Sequence, residues 1–190
     1  MKRLIGLLII FLVVGGGWLF QQKPGYAYTI KNRMLHAIKV SDSINIPFAQ
    51  LSGAMTEQDI LNRYPDLGLD CGKESSNLGD RSCYASVRRV NGADAWFVVF
   101  FFEKGRLSGL KLDIQPDGHE TMLSELHALF GAGHEMPAKS GSGPLLQWIG
   151  AQGAFVMNKS PYAAVPSQVL WVSMEKTLRS LYEKRRLQSK

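Results

Sequence analysis

The sequence predicts an α+β fold: two α-β-β-β units form antiparallel sheet with helices packed on one face, after an N-terminal transmembrane helix. Three observations carry that expectation. An uncharged apolar run opens the chain at Leu4–Phe20. Two amphipathic helical segments, Thr56–Tyr64 and Asp117–Phe130, each precede a group of short strand-like segments. Between them lies Ala95–Gln115, AWFVVFFFEKGRLSGLKLDIQ, whose two extended halves are split by the turn-type Glu103-Lys104-Gly105.

The first 23 residues decide the compartment. Leu4–Phe20 follows Met1-Lys2-Arg3. As a helix, 17 residues reach about 25 Å, near the lower limit for crossing a bilayer. The Lys-Arg pair favours a cytoplasmic N-terminus, which sends the body across the membrane. A cleaved signal peptide is the competing reading, because Gly25-Tyr26-Ala27 supplies small residues near a processing site. The length of the apolar stretch favours an uncleaved anchor. Either way the body is exported, and the expected location is the bacterial inner membrane, single-pass, with the C-terminal domain in the periplasm. Residues 24–53 are weakly patterned and read as a stalk.

The folded domain is expected over residues 54–174, with units at about 54–115 and 116–174. In the first, Thr56 is placed to cap a helix, with Asp59 at the third helical position and Met55 and Ile60 as a hydrophobic staple. Pro65 stops that helix. Cys71 and Cys83 flank the polar stretch Gly72–Ser82, which reads as a loop. Two cysteines in an oxidising compartment favour a disulfide. Zinc, the alternative, would need two further ligands, and no histidine is near. Cys83–Val90 reads as a strand ended by the hairpin turn Asn91-Gly92. In the hairpin that follows, alternation places Trp96, Val98, Phe100 and Phe102 on one face, and Phe97, Val99 and Phe101 on the other. A strand apolar on both sides is covered twice, or covered once and used for binding on its other side.

In the second unit, Asp117 is expected to cap a helix with Met122, Leu123, Leu126, Leu129 and Phe130 on one stripe, ended by Gly131. Ala138–Pro144 reads as a flexible loop. Leu145–Ile149, Ala154–Asn158 and Gln168–Met174 read as strands. Glu175–Leu187 reads as a basic amphipathic helix with Leu178, Leu181 and Tyr182 on one side, inside a basic tail spanning 175–190.

Charge excludes one class of partner. The formal charge is +6, but Pro24–Met174 carries 13 basic and 14 acidic residues, so the excess sits at the two ends. A nucleic-acid binder is expected to carry its basic excess on the folded surface, and this chain does not. The tail concentrates positive charge instead, with Lys184, Arg185 and Arg186 consecutive, and is expected to meet an acidic surface: anionic lipid or an acidic partner.

Chemistry-bearing motifs are sparse. His119-Glu120 begins like a zinc-protease motif, but Leu123 stands where the second histidine belongs. His119 and His127 read as solvated helix residues. Gly131-Ala132-Gly133 follows a helix rather than a strand, and Ser140 and Ser142 lie in no nucleophile elbow. No catalytic residue, metal ligand or cofactor is therefore assigned. Trp148, Tyr162 and Trp171 are the candidate binding residues, since rigid aromatics on an open sheet face are common anchors; core packing against Leu126 and Phe130 is the other reading of the tryptophans.

Thr56–Tyr64 with its capping signal and Val98–Leu112, a strand, a Lys-Gly-Arg-Leu turn and a second strand, resemble the tandem α+β repeat of the β-lactamase-inhibitor-protein-like fold and the SmpA/OmlA-type outer-membrane assembly lipoproteins. The resemblance covers residues 56–174. The chain departs from those lipoproteins in lacking their lipidated cysteine. The resemblance implies an exported protein-binding module, accessory subunit or inhibitor of an envelope protein, rather than a catalyst. An exported enzyme with a site assembled from distant residues, or a structural envelope component, are the alternatives.

Overall fold

A computed structural model describes residues 41–136, 143–161 and 166–176, apart from the side chains of Glu74 and Ser75. The chain divides into two units, Met1–Lys39 and Val40–Lys190, and the description concerns the second. The expected anchor, the residues 24–40, Tyr162 and the tail beyond Lys176 lie outside the described residues. Among the described residues no helix is long and apolar enough to cross a membrane.

The fold is mixed α and β, dominated by one nine-stranded sheet. Its strands are β1 (Ser41–Ile44), β2 (Asp70–Ser76), β3 (Gly79–Val90), β4 (Ala93–Glu103), β5 (Arg106–Ile114), β6 (His134–Met136), β7 (Leu145–Ile149), β8 (Gly153–Asn158) and β9 (Ser167–Ser173). Two α-helices, α1 (Glu57–Arg63) and α2 (His119–Phe130), precede the two strand groups. The sheet order is β1-β3-β4-β5-β9-β8-β7-β6, with β2 also paired to β3. Thus β3-β4-β5 and β7-β8-β9 are antiparallel meanders joined through their last strands, β5 and β9.

Local chemistry explains the best-defined corners. Asn91-Gly92 turns β3 into β4 and Lys104-Gly105 turns β4 into β5, all four residues having positive φ. Such a pair of left-handed residues matches the twist of a tight hairpin. Thr56 accepts a hydrogen bond from the Asp59 backbone N–H, while the Asp59 side chain accepts from the Thr56 N–H, closing a capping box at α1.

The core lies on one face of the sheet. Cross-strand neighbours Cys83, Phe100, Leu110, Trp171, Phe155 and Trp148 form one row of it, and all are buried. Tyr64, just past α1, stacks on Phe100 with ring centroids 5.8 Å apart, and Phe130 of α2 meets Phe155 at 5.1 Å. The Trp148 indole N–H donates to the Gly131 carbonyl at 3.0 Å, which ties the end of α2 to β7.

Several expectations change. Residues 41–53 belong to the fold rather than to a stalk: β1 pairs parallel to β3, and Ile44, Ile46, Phe48 and Leu51 are buried. The partners of β1 and Ile46 lie some 45 residues away and that of Phe48, Phe155, lies 107 away, so no local pattern announced them. The stretch between the cysteines is not a loop but the β2–β3 hairpin. At α2 the cap is not Asp117. Pro116–Gly118 forms a 3-10 turn, and Gly118 occupies the cap without a side-chain hydrogen bond. His119 is not solvated: it is fully buried, and its Nδ1 lies 2.7 Å from the Ser167 hydroxyl oxygen. Strand β6 is an addition that the sequence pattern did not suggest.

Candidate interaction surface

Strand alternation gives the sheet a second face, opposite the core. The register assembles it row by row. One row runs Tyr84, Val99, Lys111, Leu170, Val156, Gln147 across β3, β4, β5, β9, β8 and β7. The next runs Ser82, Phe101, Gly109, Val172, Ala154, Ile149. At the usual strand spacing, six strands span roughly 24 Å. The ends of this apolar band are the most open: Tyr84 is 45 % exposed and Ile149 is 72 % exposed. Val99, Leu170, Val156, Val172 and Ala154 between them are partly exposed, while Ser82, Phe101 and Gly109 in the same rows are buried. A contiguous band of that kind on a face without the main core is the pattern of an interaction surface.

Polar groups orient its rim. The Tyr84 hydroxyl donates to Asp70 Oδ2 at 2.8 Å, and this bond pushes the phenol pKa up, because ionisation would set a phenolate against the carboxylate. Lys111 Nζ pairs with the Asp113 carboxylate, 3.1 Å from Oδ1 and donating a hydrogen bond to Oδ2 at 3.5 Å. Asp113 is only 5 % exposed. At one end the β2–β3 turn reaches over the face: Leu78 sits beside the Gly109 and Phe101 positions, and its carbonyl accepts from the Ser108 hydroxyl. Gly79 allows this crossing, since a Cβ there would collide with the Phe102 backbone.

The disulfide holds that hairpin. Cys71 and Cys83 are directly opposed on β2 and β3 and are bonded to each other, as the sequence suggested. Glu57 lies within 4.8 Å of both sulfurs. Its carboxylate accepts two hydrogen bonds from Arg81, at 2.5 and 3.0 Å, which raise the guanidinium pKa. With the sulfurs bonded and the carboxylate occupied, this group fits a structural tie better than a metal site.

The candidate binding residues divide sharply. Trp148 is 2 % exposed and Trp171 is 1 % exposed, so both belong to the core and neither is a surface anchor. Each sits in the row with Phe100 and Phe155, the parity that faces α2. Tyr162 and the basic residues Lys184, Arg185 and Arg186 lie outside the described residues. The residues that do form the outer band, Tyr84 and Ile149 above all, were readable as neighbours of buried positions: each is one residue from Cys83 or Trp148 and therefore on the opposite side. Elsewhere, a depression of about 410 Å³ lies between residues 45–50, Asn91 and α2. The Asn91 amide there is already engaged, accepting from Ile46 N–H at 2.7 Å and donating to the Ile46 carbonyl at 2.9 Å. Comparison with known proteins finds no match: no family model, no curated protein and no solved structure.

Proposed function

We propose that the protein is a membrane-anchored, exported binding module that presents the outer face of its sheet to another envelope protein, as an accessory subunit or inhibitor. The observation that carries this reading is the apolar band from Tyr84 to Ile149, six strands wide, on the side of the sheet away from the packed helices. Apolar side chains held at fixed spacing on a rigid sheet offer area without an ordering cost at binding. The cystine supports the exported location, because disulfides persist in oxidising compartments. Leu4–Phe20 behind Lys2-Arg3 supplies the anchor. Each half is a helix followed by four antiparallel strands, β2–β5 and β6–β9, rather than three; the halves join at β5 and β9, and the helices serve the core face, leaving the other to the partner.

The test is substitution on the band in the full chain. Val156→Lys and Leu170→Lys each place a charge at the centre of the contact, and are expected to abolish co-purification of the crosslinked partner while the circular dichroism spectrum stays unchanged. Gln58→Lys, on the solvent side of α1, is expected to leave capture intact. Undiminished capture by both band variants would refute the reading. Protease added outside the inner membrane is expected to degrade the body; protection in intact spheroplasts would contradict its location.

A further inference from the structure

On the helical side of the sheet, the depression at residues 45–50 combines an apolar lining with a single charge. Three large apolar side chains are exposed among the described residues: Tyr84 and Ile149 end the outer band, and the third, Leu129, lines this depression. Ile46 and Phe48, both buried, line it as well. They are held in place, because Asn91 clasps both backbone groups of Ile46 and the Phe48 ring meets Phe155 at 5.2 Å. A volume of about 410 Å³ is near the lower end for small-ligand sites, roughly 300–1,000 Å³. It suits one side chain rather than a whole segment.

Glu125 is the only charged residue of the lining. It is half-buried, and among the described residues no cation pairs with it. Its one hydrogen bond there comes from Asn91 Nδ2 to Oε1 at 3.3 Å, which leaves Oε2 to accept from another donor. The exposed Gln50 side chain on the rim makes no hydrogen bond among the described residues either.

We propose that this depression receives a lysine side chain of a partner protein. An apolar wall beside a lone carboxylate matches a methylene stem with a charge at its tip. Arginine fits less well. With Oε1 shared with Asn91, Glu125 lacks the two free oxygens that a guanidinium fork prefers, whereas an ammonium is a point charge with three donors. One donor goes to Glu125 Oε2, and the Gln50 carbonyl is open to a second. Overall charge favours the same occupant: the described residues carry 10 Lys/Arg and 15 Asp/Glu, a net −5. The site is built from residues 45–50, α2 and the β3–β4 turn, so the inference does not rest on the outer face.

The experiment titrates the ¹⁵N-labelled full chain in detergent with capped single amino acids, N-acetyl-lysine methylamide first. NMR follows the Asn91 side-chain amide and the Leu129 backbone amide, and both are expected to shift saturably. The norleucine probe, a stem without charge, and the arginine probe are each expected to bind about threefold more weakly or worse. Glu125→Gln keeps an oxygen for Asn91 but removes the charge, and should weaken the lysine probe about fivefold. Leu129→Ala should weaken it about threefold through lost contact with the stem. Ile149→Ala, on the outer band, should change nothing. Should Glu125→Gln fail to fold, added salt reads the same charge in the parent: lysine binding weakens while norleucine binding does not. No saturable shift with the lysine probe overturns the inference. So does lysine binding undiminished by both Glu125→Gln and salt, or equal binding of norleucine, which marks an apolar hollow without charge recognition. Tighter binding of the arginine probe overturns the choice of lysine. If n-butylammonium binds more tightly than capped lysine, the site serves free amines and the assignment to a protein side chain falls.

Discussion

Leu170 and Trp171 are consecutive residues of β9, and they lie on opposite sides of the sheet. Trp171 meets Leu110 and Phe155 across the strands and is buried in the core. Leu170 meets Lys111 and Val156 and stays partly exposed. Both faces are rich in apolar residues, so composition does not distinguish them. What distinguishes them is cover: Phe48, Tyr64 and Phe130 place rings on Phe100 or Phe155 and so close the first face. The comparison teaches that β4 is apolar on both sides but unequally covered: Val98, Phe100 and Phe102 are buried on the core side, while Phe97 and Val99 on the other stay partly exposed beside the buried Phe101.

Substitution at that adjacent pair gives the largest expected contrast. Trp171→Ala leaves a cavity in the core and should cost about 3–5 kcal/mol in urea unfolding. Leu170→Ala should cost less than about 1 kcal/mol. Equal costs would mean that the second face is core as well. The hairpin that overhangs the outer face comes next. Replacing Cys71 and Cys83 with serine opens a loop of about 13 residues and should cost roughly 3 kcal/mol in the chain-entropy account, read as a lower denaturant midpoint. It should also loosen Leu78 over Gly109, seen as faster amide exchange in β2 than in β9. Ser167→Ala tests a polar contact inside the core face. It removes the partner of the fully buried His119 Nδ1 and should cost about 1–3 kcal/mol.

The smallest effect belongs to the capping box, and it depends on pH. Thr56→Ala should cost about 1 kcal/mol at neutral pH. The Thr56 backbone N–H and hydroxyl hold the Asp59 carboxylate below its ordinary value. A carboxylate lowered in the folded state contributes stability that is present above about pH 4 and lost as the pH falls through the lowered value. The difference between parent and variant should therefore shrink in acid; a constant difference from pH 7 to pH 2 would show that the Asp59 bonds play no part.

The same contrast explains what was legible in the sequence. Signals confined to neighbouring residues read correctly: the Thr56–Asp59 box, the Asn91-Gly92 and Lys104-Gly105 turns, and the strands Leu145–Ile149 and Arg106–Ile114. Signals that depend on distant partners did not. Asp70–Ser76 is polar apart from Cys71 and Gly72 and becomes a strand because β3 and a disulfide hold it. Ser41–Ile44 becomes one through parallel pairing with β3, which leaves no hairpin signature. Alternation sorted Trp148 and Gln147 onto different sides but carried no information about which side the helices would choose. The tryptophans thus left both core and anchor open, with core the favoured reading, and His119 looked solvated because its partner Ser167 is 48 residues away.

The central claim is that the face of the sheet opposite the main core is where the partner sits. Site-specific photocrosslinking in the full, membrane-inserted chain tests it most directly, with benzoylphenylalanine placed in turn at Tyr84, Val156 and Ile149, and at Gln58 on the helical side. The account predicts one partner adduct shared by the three band positions and none at Gln58. An adduct at Gln58 with none along the band would contradict it.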